Sequence, residues 1–182
     1  MRGYFGIGVE GVSKPMNLGS LLRSAHAFGA SFAFTIGAAF DARAAAQADT
    51  SATVASLPFH AYPDLAAFEL PHGCRLVGIE LMEEAVDLPS FTHPSQAAYV
   101  LGAERADLSP ALLARCDFLV RIPTRFCINL AIAGSLAMYD RMISLGRFAE
   151  RPVRVGRPTA ARPRHSHGEP LWKRRRDRGQ AG

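Results

Sequence analysis

The sequence predicts an α/β protein built on a parallel sheet. Short apolar runs of β-forming residues suit strands buried on both faces, helical patterns alternate with them, and helix-end signals stand at the joins. The chain has 182 residues and is 48% hydrophobic, enough to bury one substantial core, so a single domain is expected.

Each element follows in order. Tyr4 to Val9 is an apolar first strand. Leu18 to Phe28 is a helix, because Leu18, Leu21, Leu22, Ala25 and Phe28 fall on one stripe and Gly29 stands just past its end. Phe32 to Ile36 is the second strand, and the alanine-rich, weakly periodic stretch from Phe40 to Tyr62 reads as a poor helix followed by a loop. Asp64 opens a short helix reaching Leu70, Leu76 to Ile79 and Tyr99 to Leu101 are strands, and Ser109-Pro110 is an N-cap followed by proline at the first helical position. Phe118 to Ile122 is the last strand, and Ile128 to Leu145 is a long apolar helix that stops at Gly146. Beyond it periodicity vanishes while Pro, Gly and Arg rise. Residues 1–148 are therefore expected to form the domain and 149–182 a basic, flexible tail, with one anchor at Leu171-Trp172.

The formal net charge is +5, which points to a polyanionic partner or an anionic surface and says nothing of fold. The excess is concentrated late, at Arg151, Arg154, Arg157, Arg162, Arg164, Lys173, Arg174, Arg175, Arg176 and Arg178. Cys74, Cys116 and Cys127 share no C-x-x-C spacing, which argues against a structural zinc site or a disulfide framework and fits a reducing cytosol. No apolar run approaches the roughly 20 residues that span a bilayer, and Met1 to Gly11 lacks the features of a signal peptide. The expectation is a soluble, cytoplasmic protein with no membrane partner.

Four constellations could carry chemistry. Gly6-Ile7-Gly8-Val9-Glu10-Gly11 spells G-x-G-x-x-G, yet the glycines fall inside the first strand and no acid follows at the required distance, so tight strand packing is the better account than a dinucleotide site. In Asn17-Leu18-Gly19-Ser20-Leu21-Leu22-Arg23, Asn17 sits at the expected N-cap and Arg23 almost two turns in, where an arginine must find an anion, a partner subunit or water. Tyr99-Val100-Leu101-Gly102-Ala103-Glu104 is a strand that ends in glycine and then an acid, at the edge where open α/β sheets bind ligands. In Arg121-Ile122-Pro123-Thr124-Arg125-Phe126-Cys127-Ile128-Asn129-Leu130 a strand passes through an irregular loop into the last helix, and Asn129 could be simply its cap.

Taken together, the last three stretches resemble, in order and spacing, the three motifs of the SpoU/TrmH-type RNA methyltransferases of the SPOUT superfamily. The resemblance covers nearly all of Val9 to Tyr139. It implies a parallel-sheet α/β/α sandwich with a C-terminal deep trefoil knot, an exception to ordinary topology. It also implies S-adenosylmethionine as cofactor, RNA as substrate, transfer to a ribose 2′-OH and a homodimer whose active site draws on both subunits. By the same resemblance Arg23 is the catalytic arginine, supported by Asn17, Glu104 and Asn129. Cofactor contacts fall to Ile79, Glu80, Gly102, Ile122, Cys127 and Leu130. A guanidinium is effectively never deprotonated, so Arg23 is expected to orient the 2′-OH and adjoining phosphate rather than act as base.

Two positions depart from the family pattern: Asp107 replaces a glycine before Leu108-Ser109, and Cys127 stands where a serine is usual. They lend weight to an alternative, a catalytically silent knotted RNA-binding or ribosome-assembly factor. Cys127 reads as a packed thiol rather than a reactive one, and Glu80, Glu83 and Glu84 as a solvated loop face rather than a metal site, which methyl transfer does not need. His165 and His167 lack the further ligands a metal requires. The arginine-rich tail suits RNA phosphates, and the lack of a separate N-terminal RNA-binding domain slightly favours tRNA over rRNA.

Overall fold

The computed structural model describes residues 3–47, 57–103, 107–146 and 148. Glu104, the anchor at Leu171-Trp172, the basic tail and His165 and His167 lie outside the described residues. The elements all lie within the unit Met1–Gly146.

The chain runs β1 (Tyr4–Glu10), α1 (Pro15–Phe28), β2 (Phe32–Ile36), α2 (Ala42–Gln47), β3 (Phe59–Tyr62), β4 (Arg75–Ile79), β5 (Val86–Asp87), a 3₁₀ turn (Leu88–Ser90), β6 (Gln96–Leu101), α3 (Pro110–Leu113), β7 (Phe118–Arg121) and α4 (Leu130–Leu145). Among the described residues the strands form one seven-stranded sheet in the order β3-β2-β1-β6-β4-β7-β5, with every pairing parallel. β7 is therefore inserted between β4 and β5, which precede it in sequence. The α/β expectation and its five strands are present. Two further strands, β3 and β5, were not expected.

Two cores sit on the two faces of the sheet. On one, Phe5, Ile7 and Val9 of β1 meet Leu18, Leu21, Leu22 and Ala25 of α1 and Leu130, Ala137 and Met138 of α4. On the other, Phe32, Phe34 and Ile36 of β2 meet Leu76, Ala98, Val100, Phe68, Leu108 and Leu112, so that layer is short α3 plus an irregular segment. The glycine triplet finds its role on this second face. A Cβ on Gly6 would stand 2.3 Å from the Phe32 ring and one on Gly8 2.4 Å from the Phe34 ring, so both glycines let β2 lay its aromatics flat across β1.

Helix α1 ends at Gly29 in the left-handed region (φ 75°, ψ 37°), with Ala30 N–H donating to Ala25 O. Its start differs from expectation: Lys14 is the N-cap and Pro15 the first helical residue, so Asn17 lies inside the first turn. Proline's preset φ and missing N–H suit that position, and they release the Asn17 side chain from capping. The helix expected over Asp64 to Leu70 is a run of bends. Asp64 Oδ1 accepts the Ala67 amide at 2.9 Å, and the carbonyls of Leu65 and Phe68 accept from the Arg115 guanidinium at 2.7 and 2.9 Å. Arg115 thus ties the segment to the end of α3 from its carbonyl side, while Leu65 O also accepts the Phe68 amide at 3.3 Å.

Candidate functional site

The carboxyl ends of β4, β6 and β7 and the N-termini of α1 and α4 meet at one edge of the sheet, around a cleft of about 590 Å³. Ligand sites of open α/β sheets form at this edge, and that volume lies in the range of small-molecule pockets. Ile79, Leu101, Ile122 and Ala133 supply its apolar walls, and Lys14, Asn17, Glu80, Asp107 and Asn129 its polar groups. The positive ends of two helix dipoles face it.

The structure brings most of the expected residues to this cleft. Asn17, Ile79, Glu80, Gly102, Ile122, Cys127, Asn129 and Leu130 all line it, although they come from four stretches of sequence. Arg23 does not line it. The arginine is exposed on α1, six residues past Asn17, which places it about 9 Å farther along the helix and on a different face.

Asn129 does two things. Its Oδ1 accepts the Ala131 amide at 2.9 Å as the N-cap of α4, and its Nδ2 donates to Asn17 Oδ1 at 3.1 Å. The cap fixes which end of the amide is oxygen, and the remaining NH₂ ties the first helix to the last across the cleft floor. Glu80 is also engaged: Oε1 accepts from the Leu81 amide and Oε2 from the Leu108 amide, both at 3.0 Å. Cys127, expected as a packed thiol, is instead exposed because it sits in the irregular loop between β7 and α4, and Glu83 and Glu84 are exposed as expected. Among the described residues no group of three or more His, Cys, Asp or Glu gathers to hold a metal.

Sequence reasoning gave no role here to Lys14, Thr124 or Glu10. Lys14 lines the cleft because Pro15 starts the helix earlier than periodicity suggested. Thr124 lines it from the loop after β7, where its hydroxyl bonds Phe126 O at 3.0 Å. Glu10 lies behind the wall, bonded to Ser109. Only the proline offered a signal.

A second polar cluster lies at the opposite, amino end of the sheet. His93 is 4% exposed; its Nδ1 is 2.6 Å from the Tyr99 hydroxyl and its Nε2 2.9 Å from Asp140 Oδ2. Arg141, 2% exposed, donates to Tyr99 Oη at 3.2 Å and to the carbonyls of Pro94 and Ser95, with its guanidinium 5.1 Å from the Phe5 ring centre. A carboxylate can only accept, so His93 donates Nε2–H to Asp140; with burial favouring the neutral imidazole, Nδ1 takes the Tyr99 hydroxyl. Burial pushes the Tyr99 phenol up to about 12, against the lowering charge of Arg141. Burial likewise holds His93 below the ordinary histidine value, with Asp140 opposing and Arg141 reinforcing.

The chain resembles known proteins over the same stretch. The profile of the SpoU rRNA Methylase family matches residues 5–139. A 23S rRNA (guanosine-2′-O-)-methyltransferase, RlmB, of Nitrosomonas europaea is 29% identical over 140 residues, covering 72% of this chain and 53% of that protein. A Staphylococcus haemolyticus protein named as a TrmH family tRNA/rRNA methyltransferase is 31% identical over 147 residues, covering 72% and 55%. The chain thus spans about half the length of these relatives. The crystal structure of the SpoU methyltransferase AviRb from Streptomyces viridochromogenes in complex with the cofactor AdoMet superposes with a TM-score of 0.66 at 26% identity, over 77% of this chain and 57% of that one. With the three motif stretches meeting at one cleft and the family profile matching from the first strand into the last helix, the chain belongs to the SpoU rRNA Methylase family.

Proposed function

We propose that this protein transfers a methyl group from S-adenosylmethionine to a ribose 2′-OH of tRNA or rRNA, and that it works as a homodimer in the cytoplasm. The observation that carries the reading is the cleft itself, in which Asn17, Gly102 and Asn129, one from each motif, line a single volume. The residues present fit the cofactor: apolar Ile79, Ile122 and Ala133 suit an adenine, two helix N-termini and Lys14 suit an α-carboxylate, and the carboxylates of Glu80 and Asp107 suit a cationic sulfonium and amine. When bound, the cofactor supplies an electrophilic methyl on sulfur. A knot through the segments after β4, β6 and β7 belongs to this reading, and the placing of β7 between β4 and β5 supports it.

In this reading Arg23 would bind the RNA phosphate, orient the ribose hydroxyl and stabilise the negative charge its oxygen gains as the hydroxyl proton leaves to water. Because Arg23 lies off its own cleft, the arginine serving a given cleft comes from the second copy. An apolar stripe supports that assembly: Ile132, Leu136 and Tyr139 stand 56%, 40% and 48% exposed on α4, and Met16 at the start of α1 is 82% exposed. The free thiols Cys74, Cys116 and Cys127 agree with a reducing compartment.

The test is transfer of tritiated methyl from S-adenosylmethionine to total RNA, followed by alkaline hydrolysis. A 2′-O-methyl blocks cleavage at its own nucleotide, so the label should sit in alkali-resistant dinucleotides. Label released as mononucleotides would show base methylation, and binding of RNA without transfer would return the silent-factor reading. Arg23→Ala should lower turnover roughly 10²- to 10³-fold with cofactor affinity unchanged.

A further inference from the structure

Two carboxylates, one in β1 and one just past β4, take hold of two consecutive backbone amides behind the cleft wall. Glu10, the last residue of β1, accepts the Ser109 amide on Oε2 at 2.7 Å and the Ser109 hydroxyl on Oε1 at 2.6 Å, across 99 residues of sequence. Glu80, just past β4, accepts the Leu108 amide at 3.0 Å. The Ser109 hydroxyl in turn accepts the Leu112 amide at 3.2 Å as the N-cap of α3, so its own proton is committed to Glu10. Leu108 is 2% exposed and anchored in the second core, whereas Asp107 beside it lines the cleft with Gly102 and Ala103. Glu80 also lines the cleft; Glu10 does not touch it.

We propose that Glu10 is a positioning residue for the cofactor cleft, fixing through Ser109 the place of the Asp107–Leu108 wall. The inference rests on the methyltransferase reading. Charge-assisted bonds to backbone N–H groups are the shorter and stronger class, and a wall displaced by about 1 Å can cost on the order of 10²-fold in a site that depends on geometry. Glu10 and Glu80 act as a pair: one fixes amide 109, the other amide 108, and the segment between Gly102 and α3 has its end defined by both.

The experiment compares Glu10→Ala, Glu10→Gln and Ser109→Ala with the unaltered chain. Calorimetric titration with S-adenosylhomocysteine is paired with amide exchange at Leu108 and Ser109 in the ligand-free protein. Glu10→Ala should weaken binding at least tenfold and speed exchange at both amides, while unfolding stays a single cooperative transition. Glu10→Gln, which keeps one acceptor oxygen, should recover most of the affinity. Ser109→Ala loses the hydroxyl bond and the α3 cap but keeps its amide on Glu10, so it should weaken binding less than Glu10→Ala does. Should Glu10→Ala fail to fold, Glu10→Asp, one methylene too short to hold both Ser109 donors, carries the same test, with weaker binding and faster exchange at Ser109. Wild-type affinity in the alanine variants, or unchanged exchange at Leu108 and Ser109, overturns the proposal alone. Failure of the unaltered chain to bind either S-adenosylmethionine or S-adenosylhomocysteine would instead overturn the methyltransferase reading on which it stands.

Discussion

Single residues in this protein carry more than one duty, and the second duty is the one hidden in the sequence. Asn129 can be read as a cap from its place before an apolar helix, but its bond to Asn17 joins residues 112 apart and depends on where Pro15 starts α1. Asn129→Ala should cost about 1 kcal/mol through the lost cap, read in urea unfolding, and weaken cofactor binding as well. Asn17→Ala should spare the cap and show mainly the binding defect. Gly8 illustrates the opposite case, a residue whose motif suggested ligand chemistry and whose job is packing. An added Cβ would meet the Phe34 ring at 2.4 Å and the Phe34 carbonyl oxygen at 2.5 Å, and a carbonyl in the sheet ladder cannot turn aside. Gly8→Ala should therefore destabilise by roughly 3 kcal/mol, at the upper end of overpacking costs. Glu10 stands in that same motif, but its partner Ser109 is fixed only by the fold.

At the scale of elements, strands and helices were legible where an element buries its own apolar pattern. α1 and the strands β1, β2, β4, β6 and β7 all do so, and each was found within a few residues. β3 is half-buried at the sheet's end and β5 is two residues long, so neither leaves a pattern of its own. The segment after Asp64 had helical composition and no helix; Arg115 holds its irregular path through the carbonyls of Leu65 and Phe68. Helix α4 shows a pattern of the other kind, with one face buried and a second apolar stripe exposed. Ile132→Asp with Leu136→Asp should convert a dimer to monomers in analytical ultracentrifugation, leave the cofactor cleft intact, and abolish methyl transfer if each cleft borrows Arg23 from the second copy. A dimer undisturbed by both aspartates would place the interface elsewhere.

Across the whole molecule, the cleft and the buried His93 cluster occupy opposite ends of the sheet, and α4 reaches both, through Asn129 at its start and through Asp140 and Arg141 near its end. The His93 cluster makes stability depend on pH in a definite direction. His93 is held below its ordinary value of 6.5, so the unfolded chain takes up the proton first. This contribution is complete above about pH 6.5 and is lost as the pH falls below it, at up to about 1.4 kcal/mol per pH unit. Urea midpoints should decline over that acid range, and His93→Gln should flatten the decline. A chain ending at Glu150 should bind cofactor as before and bind RNA more weakly, with the salt slope reduced by about 0.9 for each phosphate the shortened chain no longer neutralises.

The insertion of β7 also bears on how the protein is made. β4 acquires its β7 partner only after β5, β6 and α3 have been synthesised, for β7 begins at Phe118 and β4 ends at Ile79. At about 5–20 residues per second the ribosome takes roughly 2–8 s to cover that interval, during which one edge of the apolar Leu76–Ile79 strand has no neighbour. An open apolar edge is a template for wrong pairing. Slow codons between positions 80 and 118 should thus lower the soluble yield in cell-free translation relative to the same codons placed before β4, since they lengthen the time that edge stays open.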